Sequence, residues 1–238
     1  MKKKVLILGA SGNIVPHLLP GLEPYYDLHL ADIVPHPDGK PITTVDVTSF
    51  EQVLEAARGM DALMNFTVVR ADPAQSFHVN TMGAWHVMRA AAELGIKKVV
   101  HTGPQTINLA HDHDFGIRDV PMAPGTNYYM LTKMLAMEIC RIFARTHGIQ
   151  TIAFHFLGLR SKPTEPVQGT DFHRFMLVYD DLAHACRLAL EIESVPDDIQ
   201  DFNLLSFEAQ GKYSVDKARR ILGFEPQEKW EDYYRRTP

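Results

Sequence analysis

Tyr129 and Lys133, in the stretch Tyr128-Tyr-Met-Leu-Thr-Lys133, have types and a spacing that could do chemistry. Four apart on a helix, their side chains share one face. A lysine ammonium beside a phenol stabilises the phenolate. Such a pair can take a proton from an alcohol, or return one to a carbonyl, while a nicotinamide cofactor carries the hydride. The lysine could also donate to the nicotinamide ribose. Taken alone the spacing is commonplace, and its ordinary reading is a half-buried tyrosine with a lysine laying its stem on apolar surface. The chemistry therefore requires a dinucleotide site elsewhere in the chain.

The first fifteen residues supply a candidate. Val5-Leu-Ile-Leu8 is a short continuous apolar run that suits a strand buried on both faces. Gly9-Ala-Ser11-Gly12-Asn13-Ile14 follows. A strand that breaks at glycine and restarts as a helix leaves unpaired N–H groups at the positive end of the helix, an anion site suited to a pyrophosphate. A side chain at the glycines would hold the backbone away from the phosphates. The third glycine of the dinucleotide pattern is absent, its place taken by Val15 and then Pro16. A plain strand-to-helix turn would use the same glycine pair. Leu28-His-Leu-Ala-Asp32, followed by Ile33, reads as a second strand ending in a carboxylate at the distance, about 20 residues, where such folds hold the adenosine ribose. Asp32 would accept from both ribose hydroxyls and repel a 2′-phosphate, favouring NAD over NADP.

The elements that must position these groups alternate. A chain of 238 residues suits one large α/β domain. After the second strand come a short strand at 43–47 and a helix capped by Ser49 with Gln52. A buried strand follows at 61–66, then a helix opened by Asp72-Pro73 and running to Leu94. Further strands fall at 97–102 and 151–156, with a long helix over 127–146 between them. Strands alternating with helices, without hairpin signals, predict a Rossmann-type doubly wound parallel sheet with helices on both faces. After Arg160 the rhythm changes. A helix over 180–190, a strand over 201–205 and a helix opened by Ser214 complete the chain. Residues about 157–178 and 201–238 are expected to form a small substrate-binding cap on a single domain, 1–238.

The net charge of −5 and the lack of a basic run beyond Lys2–Lys4 argue against a nucleic-acid partner. Those lysines read as a solvated lead-in to the first strand. No apolar stretch is long enough to span a membrane, and no signal peptide precedes the strand. Cys140 and Cys186 lie in helical patterns without zinc-like spacing, which implies a cytoplasmic, disulfide-free protein. His111-Asp-His-Asp114 reads as a solvated loop, and no metal is expected.

With these residues together, the chain resembles the extended short-chain dehydrogenase/reductase family, in its NAD-dependent epimerase/dehydratase branch. The resemblance rests on Gly9-Ala-Ser-Gly12, Asp32, Asp46-Val47, Asn80 in His-Val-Asn-Thr-Met-Gly, Tyr129 to Lys133, Tyr179-Asp-Asp-Leu-Ala183 and Ser214 to Pro226. It implies Tyr129 as acid/base, with Lys133 as its partner and ribose anchor. NAD would be lined by Gly9, Ser11, Gly12, Asn13, Ile14, Asp32, Ile33, Asp46, Val47, Phe66, Thr67, Val68, Asn80, Thr102, His155 and Leu157. His155 stands where the family commonly has arginine. The family's catalytic Ser or Thr after the fourth strand falls here on Gly103-Pro104. Thr106 is the first candidate to replace it, with Gln105 and Thr102 as alternatives.

The compact chain and Gly103-Pro-Gln-Thr-Ile107 look most like the uronate dehydrogenases, which oxidise a free sugar acid at its anomeric carbon. A carboxylated substrate would need a cation, and Arg70, Arg160 and Arg174 lie in loops near the expected site, alongside Gln105. The implied function is an NAD-dependent oxidoreductase acting on a small polar hydroxyl or carbonyl compound, such as a sugar or sugar acid. Two alternatives stand beside it. One is an epimerase or dehydratase that keeps its NAD, and the other is a dinucleotide-binding regulator that has lost catalysis at Gly103-Pro104. The resemblance also implies a homodimer paired through the two long helices.

Overall fold

The computed structural model describes residues 1–103, 126–156, 158–165, 176–206 and 214–227. Strands β1 (Lys4–Leu8), β2 (Asp27–Asp32), β3 (Thr43–Thr44), β4 (Ala62–Asn65), β5 (Lys98–Thr102), β6 (Gln150–His155) and β9 (Ile199–Asn203) form one sheet. Their order is β3-β2-β1-β4-β5-β6-β9, and every pairing is parallel. Two further strands, β7 (Gly158–Arg160) and β8 (Met176–Val178), pair with each other in parallel outside that sheet.

Burial on both faces explains the unbroken apolar run of β1. Val5 and Ile7 pack with α1 (Val15–Leu22) and α6 (Tyr179–Glu191) on one side. Leu6 and Leu8 pack with α2 (Phe50–Ala57), α4 (Gly83–Leu94) and α5 (Tyr128–His147) on the other. The helices run back against the strands, so all strand C-termini meet at one edge, where open α/β sheets bind ligands. The sequence pattern predicted this architecture.

Four local expectations change. The strand over 43–47 is cut to Thr43–Thr44 because the Asp46 carboxylate accepts from the N–H and hydroxyl of Thr48, both at 2.8 Å, and turns the chain. The single helix over 72–94 is three pieces in one column: α3 (Pro73–Ser76), a π-helical stretch at Phe77–Met82, then α4. The strand expected at 201–205 is not part of a cap. As β9 it pairs with β6 as an edge strand of the main sheet, and α7 (Asp216–Leu222) follows it.

The fourth change concerns the lysines, which are not simply solvated. Lys2 donates to the Glu23 carbonyl at 2.7 Å, Lys3 to Leu190 at 3.2 Å and Lys97 to His147 at 2.7 Å, and Lys98 donates to the Ile192 carbonyl. Each of these carbonyls closes a helix: α1, α6, α5 and α6 in turn. Cations there satisfy orphan acceptors at the negative helix ends.

Candidate active site

The turn from β1 to α1 needs a bare backbone. Gly9 has φ +80°, and a Cβ on it would lie 2.8 Å from the carbonyl carbon of Phe66 and from the Thr67 nitrogen. The turn thus rests on the chain leaving β4, which seats Phe66 and Thr67 beside it. Gly9 and Ala10 both donate to Ala31, at 3.0 and 3.1 Å, tying the turn to β2 as well. Among the described residues no side chain caps α1 at Ile14, but Pro16 has no N–H and His17 donates to the Ile14 carbonyl at 3.1 Å, so few first-turn donors stay open. Asn13 and Gly12 are exposed there. Val15, standing where the third glycine was expected, is fully buried in the core. Close helix packing is instead served by Gly21, where a Cβ would come 2.8 Å from that of Ala183 in α6.

Asp32 ends β2 with its carboxylate fixed by three main-chain donors: Ser11 at 2.9 Å, Ile33 at 2.7 Å and Val34 at 3.3 Å. Ser11 also donates through its hydroxyl to Val34 at 2.8 Å. The glycine turn and the carboxylate therefore form one unit. Asp46 holds the turn before α2, its carboxylate taken by the N–H and hydroxyl of Thr48, rather than standing free. Val47 is buried, its carbonyl accepting from His86 Nδ1 at 2.7 Å.

The loop after β4 meets the start of α5. Tyr128 donates its hydroxyl to the Arg70 carbonyl at 2.7 Å. The Arg70 guanidinium lies 4.9 Å from the Tyr129 ring centroid, with a nitrogen 3.5 Å from the phenol oxygen. Asn127 caps α5 by accepting from Met130 at 2.9 Å. One turn on, Lys133 is only 2% exposed and donates to the Thr102 hydroxyl at 3.2 Å. Burial, reinforced by Arg70 and opposed by Cys140, pushes Lys133 down to about 8. Tyr129 and Lys133 therefore present a phenol at the cleft with an ammonium buried behind it.

Asn80 was expected to line the cofactor, but its hydrogen bonds go elsewhere. It accepts from Val69 N–H at 2.8 Å and donates to the Val69 carbonyl at 2.9 Å and the Thr132 hydroxyl at 3.0 Å. From the π-helical stretch it locks the loop carrying Thr67, Val68 and Arg70 onto the helix carrying Tyr129. Asn65, missed in the sequence, does the same for Thr67, accepting from its N–H and hydroxyl at 3.1 and 2.7 Å.

His155 is 1% exposed and pairs with Asp201 at 3.1 Å. His101 was also missed. It is 2% exposed, its Nε2 lacks a partner among the described residues, and burial with Lys133 and His155 nearby holds it well below the usual imidazole range. Its place, two residues from Val99 on the same face of β5, was the available signal. Ile33, Val68 and Arg160 are exposed. Thr106, Gln105, Leu157 and Arg174, with the His111–Asp114 loop, lie outside the described residues.

A glycine turn, an uncapped helix start and a strand-end carboxylate fit a dinucleotide, with the Tyr–Lys pair one cleft away. The chain belongs to the NAD dependent epimerase/dehydratase family, whose model matches residues 5–172. The NAD-dependent glucose-6-phosphate dehydrogenase of Haloferax volcanii is 22% identical over 254 aligned positions, covering 96% of this chain and 94% of that protein. The uronate dehydrogenase of Pseudomonas putida is 26% identical over 187 positions, covering 75% of this chain and 68% of its own. Among solved structures, a variant of uronate dehydrogenase from Agrobacterium tumefaciens complexed with NAD superposes with a TM-score of 0.79 at 18% identity, covering 98% of this chain and 88% of the other. NAD is accordingly the cofactor of this protein.

Proposed function

We propose that the protein oxidises a small sugar carrying an acidic group, using NAD as the hydride acceptor. The observation that carries this reading is the Arg70 guanidinium on the open side of Tyr129, with Lys133 buried behind. A proton-transfer pair with a cation at its mouth suits an anionic alcohol. The two curated relatives, named for glucose 6-phosphate and for uronate, both act on acid-bearing sugars.

NAD, when bound, accepts the hydride from the carbon under oxidation. Tyr129 takes the proton of that carbon's hydroxyl, with the Lys133 ammonium one helical turn on. Asp32 accepts from the adenosine ribose hydroxyls, and the turn from Gly9 to Ile14 holds the pyrophosphate. Arg70 pairs with the acidic group of the sugar. Residues about 157–178, including β7 and β8, cover the substrate. The exposed apolar residues Leu131, Leu135 and Ile142 on α5, with Phe77 and Met82 nearby, support a homodimer paired through the long helices. Two free, buried cysteines support a cytoplasmic location.

The test is calorimetric titration with NAD and NADP on the wild type and Asp32→Ala, then a screen of uronates, aldoses and sugar phosphates for NADH formation. NAD should bind in preference and weaken in the variant. Tyr129→Phe should cut turnover by about 100-fold or more. Turnover without free NADH would favour a cofactor-retaining epimerase. No nucleotide binding, or full turnover in Tyr129→Phe, would overturn the reading.

A further inference from the structure

Arg70 is an exposed arginine with no carboxylate partner among the described residues. Asp72, the carboxylate beside it in sequence, instead caps α3, accepting from the Gln75 N–H at 2.7 Å. The Arg70 guanidinium rests on Tyr129. Its carbon is 4.9 Å from the ring centroid, and one nitrogen is 3.5 Å from the phenol oxygen. A guanidinium only donates, so the phenol oxygen is the acceptor in that contact. The same oxygen must accept from the alcohol under oxidation. Without a substrate, the arginine thus stands at the catalytic oxygen in its place.

The main chain beneath this side chain is held on both sides. Val69 donates its N–H to Asn80 at 2.8 Å, and its carbonyl accepts from Asn80 at 2.9 Å and from Ser76 at 3.0 Å. The Arg70 carbonyl accepts from the Tyr128 hydroxyl at 2.7 Å. What can turn is the long side chain alone, and it holds Tyr129 only through a neutral oxygen and a ring face. A carboxylate or phosphate offers charged oxygens that match the planar fork, and is the stronger partner. A neutral sugar carries no group that would draw the guanidinium away.

We infer that Arg70 closes Tyr129 to neutral sugars and is drawn off the phenol by the acidic group of the correct one. Specificity then comes from a contact that must be broken as well as from one that is made. An arginine that only bound the acid would leave the turnover of neutral sugars indifferent to its presence. The inference rests on the oxidation of an acid-bearing sugar proposed above. It adds to that reading the means by which a sugar lacking the acid is refused.

The experiment follows NADH formation by the full chain with NAD, from acidic sugars (uronates and sugar phosphates) and from a neutral aldose, in the wild type and Arg70→Ala. The variant should lose about 10-fold or more in kcat/KM on the acidic sugar and gain about 5-fold or more on the neutral aldose, with NAD affinity within about 2-fold. A second arm supplies the acid separately. Acetate or inorganic phosphate, added to the wild type, should raise turnover of the neutral aldose saturably by about 3-fold or more and should leave Arg70→Ala unmoved. Sodium chloride at equal ionic strength separates this from screening. If Arg70→Ala oxidises the neutral aldose no faster than the wild type, at whatever rate, the arginine does not guard the phenol and the inference is overturned. No stimulation by either anion, or equal stimulation of the variant, overturns it too. So does unchanged kcat/KM of Arg70→Ala on the acidic sugar, which would place the acid elsewhere. Absence of NADH from every uronate and sugar phosphate with the wild type would instead fail the acid-sugar dehydrogenase reading, and would be seen before any variant is made.

Discussion

Lys133 works because it is buried. Removed from water and facing Arg70, its ammonium gives up its proton near about 8 instead of the ordinary 10.5. Below that pH the site holds a buried positive charge one helical turn from Tyr129. Above it the charge is lost, and kcat/KM should fall along an alkaline limb. Arg70→Gln removes one cation that repels the Lys133 proton, so that limb should move to higher pH. A pH–rate profile of the variant checks the sign. The same change should raise KM for an acidic sugar about 10-fold and leave NAD affinity unaltered. Tyr129 and Lys133 were legible in the sequence because helical spacing alone puts them on one face. His155 and Asp201 were not legible as a pair. They are 46 residues apart and meet only because β6 and β9 are neighbours.

The π-helical stretch at Phe77–Met82 sets the alignment of the site at the scale of elements. One wide turn swings Asn80 inward, where it takes both main-chain groups of Val69 and the hydroxyl of Thr132. Asn80→Ala leaves the Val69 N–H without its acceptor and takes one of two partners from the Val69 carbonyl and the Thr132 hydroxyl, and should cost about 1–3 kcal/mol in urea unfolding. It should also lower kcat by letting the Arg70 loop drift from Tyr129. Gly9→Ala should cost at least about 1–3 kcal/mol through its left-handed backbone, and should abolish NAD binding because its methyl meets the chain at Phe66. Glycine and the acidic strand end announced the nucleotide turn openly. The π turn left no such mark, since one extra residue per turn barely disturbs an apolar stripe. β9 joins the main sheet rather than a cap, and its sequence shows a strand but not which edge it joins.

For the whole molecule, a buried and a half-buried lysine link stability to pH. Lys98 and Lys133 are both pushed down to about 8 by burial, against 10.5 in an unfolded chain. Between those values the unfolded state binds more protons, so folding is favoured as pH rises from about 8. From about 9 the sign is opposed, because unfolded thiols ionise while burial pushes the Cys140 thiol up to about 12 and keeps Cys186 protonated as well. Thermal melts should climb between pH 8 and 9 and then level or decline. Leu135→Glu combined with Ile142→Glu should convert a dimer to monomers in sedimentation, with the melting of the fold little changed.

The four lysines at the helix ends have a consequence at long range. They neutralise the negative poles of α1, α5 and α6 at one end of the sheet, while the positive pole of α1 stays uncapped at the other. Offsetting those negative poles leaves the positive pole of α1 uncompensated on the side of the nucleotide turn. A chain of net charge −5 would otherwise repel the pyrophosphate of the cofactor as it approached. With the field focused this way, NAD is steered toward the cleft through an overall unfavourable charge.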